Sequence, residues 1–332
     1  MRVQTGGKLY LAGEYAVLSP GQGAVIQFIP IYMQAEIAQA DHYQLQSDMF
    51  DFAVDMTPQP DYALIQESVQ LMEDFLTLQG KSIQPFHLQL SGKFERNGKK
   101  FGIGSSGSVV LLTLKAMATL YQLPLTADQL FRLASLVLIK RGDNGSMGDL
   151  ACIAYEDLVY YQSFDRGEIA EQVTSLPLDA LLDLDWGYVI DPIQPQISYD
   201  FLVGWTQQPA ISKDLVNQVK SAITEDFLSA SQAAVLAVYQ GLKEGNQSLL
   251  QTNLETASQL LSSLSPAIYT QKLAQLKAAE QGLNVVAKSS GAGGGDCGIA
   301  LSFDQSSSQQ LIERWQAAGI DLLYQERKVP HE

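Results

Sequence analysis

Apolar and polar residues alternate over residues 24–38 and again over 86–90, which is the period of half-buried strands. Between them the period changes. Ile65, Val69, Met72 and Leu76 fall on one face of a helix predicted over 62–79, and Gly80 suits its C-terminal stop. Residues 109–122 are apolar nearly all round, as expected of a helix buried inside a domain, and Pro124 ends it. Thr126 and Gln129 then form a candidate capping box for a helix reaching about Ile139. Residues 158–162 read as a strand, and 166–185 as an acidic, irregular stretch.

A boundary between two domains is placed at 195/196, giving an N-terminal domain over 1–195 and a C-terminal domain over 196–332. In the second part, 201–205 is a predicted strand. Ser212 caps a helical region running with breaks to Gly282, with Ser265 and Pro266 as a restart signal. Strands at 284–287 and 298–303, a helix over 307–318 and a strand at 320–325 complete the pattern.

Composition narrows the function class. With 36 acidic and 21 basic residues the formal net charge is −15, which argues against a nucleic-acid partner. The two cysteines, Cys152 and Cys297, and the three histidines form no ligand cluster, so a reducing, cytoplasmic setting is expected and metal chemistry on histidine is not. The N-terminal pattern is not that of a secretory signal, no stretch is apolar enough to span a bilayer, and no obligate protein partner is evident. The basic residues, few as they are, gather by glycine. Lys8, Lys99, Lys100, Lys140, Arg141 and Lys288 each lie inside or beside a glycine-rich segment, and cations next to bare backbone amides point to an anion site.

Three such segments carry candidate chemistry. Gly102-Ile103-Gly104-Ser105-Ser106-Gly107-Ser108 opens a helix, where the first amides point outward with the positive end of the dipole and two serines add hydroxyls. It lacks the lysine of a Walker A loop, because Ser108 stands there. It matches a dinucleotide G-x-G-x-x-G literally, but no buried strand precedes it and no acidic strand end follows. The second segment, Arg141 through Asp149, places Asp149 at a helix entry, where it either orients a proton or a lysine or simply caps the helix. The third, Lys288 through Gly298, lies between two strands and has more glycine than a hairpin needs, which suggests a backbone closing over an anion.

Taken together, GGKLYLAGEYAVL, GIGSSGSVV and KSSGAGGGDCGIAL resemble the three motifs of the GHMP kinases, the family of galactokinase and of the homoserine, mevalonate and phosphomevalonate kinases. The order and separations match across the whole chain. Within that family, KRGDNGSMGDLAC with GAGGGDCG is most similar to the bacterial phosphomevalonate kinases.

The resemblance implies a two-domain α+β fold, with a left-handed β-α-β unit in the N-terminal domain and a ferredoxin-like C-terminal domain. It implies ATP and Mg2+ as cofactors, and phosphomevalonate as the small-molecule acceptor in a step of isoprenoid biosynthesis. Lys8 matches the lysine near the transferred phosphoryl group and Asp149 the catalytic aspartate. Gly102, Gly104, Ser105, Ser106, Gly107 and Ser108 match the ATP loop, with Ser106 as the hydroxyl near magnesium. Ser146, Ser212, Ser290, Gly291 and Ala292 fall on the acceptor side. Lys100, next to the ATP loop, is either a second neutraliser or a solvated turn lysine. One departure stands out: residues 133–139 offer no carboxylate where several members carry a magnesium-binding glutamate. The alternatives are a mevalonate kinase, a mevalonate diphosphate decarboxylase and a ligand-sensing relative without catalysis.

Overall fold

The computed structural model describes residues 1–210, 215 and 219–330. Its first half is built on one long strand. β2 (Gly23–Gln39) pairs antiparallel with β1 (Arg2–Ala12) along one edge. Its other edge carries β4 (Phe86–Ser91) at one end and β7 (Val159–Gln162) at the other. β3 (Gln44–Ser47) and β8 (Val189–Pro192) add the outer strands, giving the order β3-β4-β2-β7-β8 with β1 against β2. β3 and β4 run parallel, and α1 (Ala63–Leu78) lies between them in sequence, so this part is a β-α-β unit.

The helices α2 (Ser105–Leu120), α3 (Ala127–Lys140) and α4 (Gly148–Tyr155) follow. α2 buries 11 of its residues, including the run from Gly107 to Leu114, which agrees with its apolar sequence. The capping box of α3 is formed: Thr126 accepts from the Gln129 amide at 3.1 Å, and Gln129 accepts from the Thr126 amide at 3.0 Å. The acidic stretch after β7 is helical rather than irregular. It contains α5 (Arg166–Val173) and α6 (Leu178–Asp183), nucleated by the Asp165 cap on Glu168 and by Pro177.

A second sheet has the order β10-β11-β9-β12, from β9 (Tyr199–Trp205), β10 (Val285–Ser289), β11 (Cys297–Ser302) and β12 (Asp321–Lys328). Every neighbouring pair is antiparallel, and helices join β9 to β10 and β11 to β12, which is the split β-α-β arrangement of a ferredoxin-like unit. The helices are α7 (Glu225–Glu244), α8 (Gln247–Leu264), α9 (Gln271–Ala278) and α10 (Gln305–Ala317). The restart expected at Ser265 and Pro266 does not occur there: Ser265 ends α8, and Thr270 caps α9 through the Leu273 amide. The expected cap at Ser212 lies outside the described residues.

The apolar core is continuous between the two sheets. Val203, Trp205, Val286 and Ile299 of the second belong to the same buried cluster as Leu9, Leu11 and Val25 of the first. The strands of one sheet fall within residues 2–192 and those of the other within 199–328. No described helix is long and apolar enough to cross a membrane.

Candidate active site

Strand β1 and the start of α2 are joined directly. The Lys8 amide donates to the Ile103 carbonyl at 2.8 Å, the Ser108 hydroxyl donates to the Gly6 carbonyl at 2.7 Å, and Thr5 Oγ1 donates to the Ser108 carbonyl at 3.1 Å. Gly7 makes this approach possible, since a Cβ there would lie 2.7 Å from the Ile103 carbonyl oxygen. The price for Ser108 is its availability. Its hydroxyl and its amide are both committed inside the protein, so it is corrected from a phosphate contact to a bolt between α2 and β1. Ser106 is exposed and Ser105 partly so.

The remaining loop glycines each face a charged side chain. A Cβ on Gly102 would fall 2.3 Å from Asp296 Oδ2, one on Gly104 would fall 3.1 Å from Lys8 Cε, and one on Gly107 would fall 2.9 Å from Asp149 Oδ2. Gly102 and Gly104 also have positive φ, 76° and 90°. Gly104 ends the turn as the helix cap without any side-chain acceptor, so the first α2 amides are left for a ligand. One cation and two carboxylates therefore lie against a helix N-terminus with free donors. Lys8 makes no ion pair among the described residues, and its Nζ stands 5.1 Å from the centre of the Tyr10 ring.

Asp149 enters from the second loop, in the first turn of α4, after Met147 in a left-handed conformation with φ 65°. Ser146 holds that turn: its Oγ accepts from the Gly148 amide at 3.2 Å and lies 3.1 Å from Tyr10 Oη, while its carbonyl accepts from Tyr161 Oη at 2.6 Å. Burial raises the Asp149 carboxyl above the usual range, and the nearby Lys8 ammonium pulls it back. Burial, and then the Asp149 charge, push the Tyr10 phenol up, so it stays protonated as a hydrogen-bond donor.

The third loop behaves differently. Ser290 donates from Oγ to the Tyr10 carbonyl at 2.9 Å, and Tyr15 Oη donates to the Ala292 carbonyl at 2.5 Å, so the loop is tied to the end of β1. Three of the glycines there have a packing cause. A Cβ on Gly293 would meet Ile268 at 2.5 Å, one on Gly294 would meet Leu215 at 2.5 Å, and one on Gly295 would meet the Gln208 carbonyl at 2.4 Å. Gly291 alone of these faces open space, with Ala292 partly exposed beside it. Ser212 lies outside the described residues.

Two of the cations singled out from sequence are already paired. Lys288 is fully buried in an ion pair with Glu14 and donates to the Ser289 carbonyl at 2.7 Å; Arg141 pairs with Glu67 at 2.7 Å. Lys100 sits in a two-strand hairpin, β5 (Glu95–Arg96) with β6 (Lys99–Lys100), whose carbonyl at Lys100 accepts from Trp205 Nε1 at 3.1 Å. Its side chain is exposed.

Sequence reasoning passed over Tyr10, Glu14 and Asp296. Tyr10 was within reach, because positions 8 and 10 of a strand share a face. Asp296 had a weaker signal, a carboxylate closing a run of glycines. Among the described residues no group of three or more His, Cys, Asp and Glu side chains could hold a metal ion alone. Magnesium is commonly held by one or two carboxylates together with substrate phosphates, so this donor set fits a nucleotide-bound ion.

The family models place this geometry. GHMP kinases N terminal domain matches residues 63–157, and GHMP kinases C terminal matches 238–321. The phosphomevalonate kinase of Streptomyces sp. (strain CL190) is 30% identical to the chain over 351 residues, covering 95% of this chain and 93% of the relative. The chain belongs to the GHMP kinases. A solved GHMP kinase, the Streptococcus pneumoniae phosphomevalonate kinase in complex with phosphomevalonate and AMPPNP, is 56% identical with a TM-score of 0.97, over 98% of this chain and 99% of that one. The Methanococcus jannaschii mevalonate kinase, at 20% identity and a TM-score of 0.72 over 100% of this chain and 98% of its own, shares the fold.

Proposed function

We propose that this GHMP kinase transfers the γ-phosphoryl group of ATP to the phosphate of (R)-5-phosphomevalonate, giving 5-diphosphomevalonate and ADP in the mevalonate route to isoprenoids. The observation that carries the reading is Lys8, an ammonium with no ion pair among the described residues, beneath the glycine loop in a protein of net charge −15. The similarity to a kinase solved with phosphomevalonate and an ATP analogue supports the choice of acceptor.

The chemistry asks mainly for position and charge neutralisation. The free amides at Gly104 through Gly107 receive the β- and γ-phosphates, and Ser105 and Ser106 add hydroxyls at the same turn. Lys8 bridges donor and acceptor phosphates, and Lys100 approaches from the exposed hairpin as a second neutraliser. The acceptor side is assigned to Ser146, Ser290, Gly291 and Ala292, around the Tyr10 end of β1, and to Ser212, which lies outside the described residues. Because the second pKa of a phosphate monoester is about 6, the acceptor is largely dianionic at neutral pH and needs no strong base. Asp149 then orients Lys8 and the acceptor. Magnesium bound with ATP would neutralise phosphate charge, and Ser106, whose side chain is exposed at the start of α2, is the hydroxyl that would hold it. Residues 1–195 form the ATP-binding domain and 196–332 the C-terminal domain. A cytoplasmic setting agrees with two buried, unpaired cysteines.

The test is turnover of phosphomevalonate against mevalonate with magnesium-ATP. The phosphorylated acceptor is expected to win by a large factor in kcat/KM; comparable values would favour an alcohol kinase. A second measurement addresses Asp149. In Asp149→Asn the residual kcat is expected to rise through about pH 6 and then level, following acceptor ionisation. A rate that keeps climbing with hydroxide would make Asp149 a general base.

A further inference from the structure

We propose that Asp296 is the carboxylate through which this chain holds the magnesium ion of magnesium-ATP, a role that rests on the kinase reading above. Where a helix carboxylate could have served, this chain has none: all of Leu133, Ala134, Ser135, Leu136, Val137, Leu138 and Ile139 are buried in α3. Among the described residues, the carboxylates that a Cβ on an ATP-loop glycine would meet are Asp149 at Gly107 and Asp296 at Gly102.

These two are committed differently. Asp149 is engaged by the first amides of its own helix, and Lys8 is the strongest charge acting on it. Asp296 accepts through Oδ1 from the Ala210 amide at 3.2 Å, while its Oδ2 is the atom pressed toward Gly102 at the mouth of the loop. The backbone fixes it there, with the Asp296 amide donating to the Gln208 carbonyl at 2.6 Å and the Asp296 carbonyl accepting from the Thr206 amide at 2.8 Å. Its φ of 53° lies in the left-handed region, where aspartate is among the few non-glycine residues commonly found. Burial raises its carboxyl, while the Ala210 amide, Lys8 and Lys100 oppose that rise.

A fixed, half-buried carboxylate beside a triphosphate repels it strongly, because like charges a few ångströms apart are poorly screened away from bulk water. A divalent ion between them reverses the sign. One carboxylate, a serine hydroxyl and two phosphate oxygens, completed by water, make a usual magnesium environment. The bland alternative is a clamp in which Asp296 merely fastens residues 206–210 through the Ala210 amide.

Asp296→Asn separates the two, because it keeps an oxygen for the Ala210 amide and removes the charge. ATP affinity is measured by calorimetry with and without Mg2+, and the environment of Mn2+-ATP by electron paramagnetic resonance, in both cases without acceptor. The preference of the wild type for magnesium-ATP over metal-free ATP is expected to shrink by about tenfold or more in the variant, as losses at metal-supporting groups do. Metal-free ATP should bind as tightly as before or more tightly, and the Mn2+ spectrum should change. Asp296→Glu should retain most of the metal preference even if the Asn variant folds poorly. An unchanged preference, an equal loss with and without metal, or a Glu variant as metal-blind as the Asn variant would overturn the proposal. With no acceptor present, a wrong acceptor assignment leaves these results intact. A wild type that binds no ATP at all would sink the kinase reading itself.

Discussion

The first and third glycine loops, residues 102–108 and 288–298, are both rich in glycine and serine and differ in what surrounds them. At residues 102–108 the missing side chains make room for Asp296, Lys8 and Asp149, so the loop is a thin cover over charge. At residues 293–295 they make room for Ile268, Leu215 and the Gln208 backbone, so the loop is a packing joint between elements. Glycine enrichment thus reports close approach, and the approaching partner decides whether the result is chemistry or structure.

The comparison predicts that damage at Lys288 and at residues 293–295 of the third loop is read in stability, and damage at the first loop in turnover. The largest effect is expected from Lys288→Met at the root of the third loop. It leaves Glu14 buried without its partner, and losing one member of a buried pair typically destabilises by about 3–5 kcal/mol. Chemical denaturation checks this, and the Glu14→Gln/Lys288→Met double variant should recover much of the loss. A single variant as stable as wild type would break the comparison on the structural side.

Next comes Lys8→Met under the first loop. Removing one preorganised electrostatic contact lowers kcat by about 10²–10³, and Lys8 is expected in that range or above it. Steady-state kinetics beside a melting curve would show activity lost with Tm nearly kept. A large fall in Tm with normal kcat would exchange the roles of the two loops.

The smallest and sharpest pair is Gly293→Ala against Gly102→Ala. Both sites have positive φ, 73° and 76°, so each carries a similar backbone penalty of about 1–2 kcal/mol. At Gly293 the new methyl meets Ile268, and the outcome should be a lower Tm with an unchanged KM for ATP. At Gly102 it displaces the Asp296 carboxylate, and KM for magnesium-ATP should rise by more than the common loss of stability explains. Matching kinetic profiles for the two variants would mean that the loops do not differ in function.

Much of the fold was legible because local rules agree with it. The Thr126 box, the strand alternation before Gln39, and the apolar run into α2 lie where sequence places them. The acidic stretch after β7 was not, since short helices held by one cap and one proline leave little periodic signal. At the site, the sequence names Lys8, Asp149 and the loop at Gly102 through Gly107, which the structure brings together, whereas it does not tell that Ser108 and Lys288 are turned into the core. A serine or lysine beside glycines looks the same whether it faces ligand or core, and only its partners, Gly6 and Glu14, tell the difference.

What the sequence by itself determined is the set of three loops, their order, and the residue types capable of phosphoryl transfer, because turn chemistry and helix starts are encoded within a few neighbouring positions. Tertiary structure alone decided which charges meet. Lys8, Gly104, Asp149 and Asp296 are brought together by the register of β1 on β2 and by β9 and β11 carrying the third loop back to the first. A glycine has no side chain through which sequence could name its neighbour, and a long-range contact depends on packing that no local pattern contains.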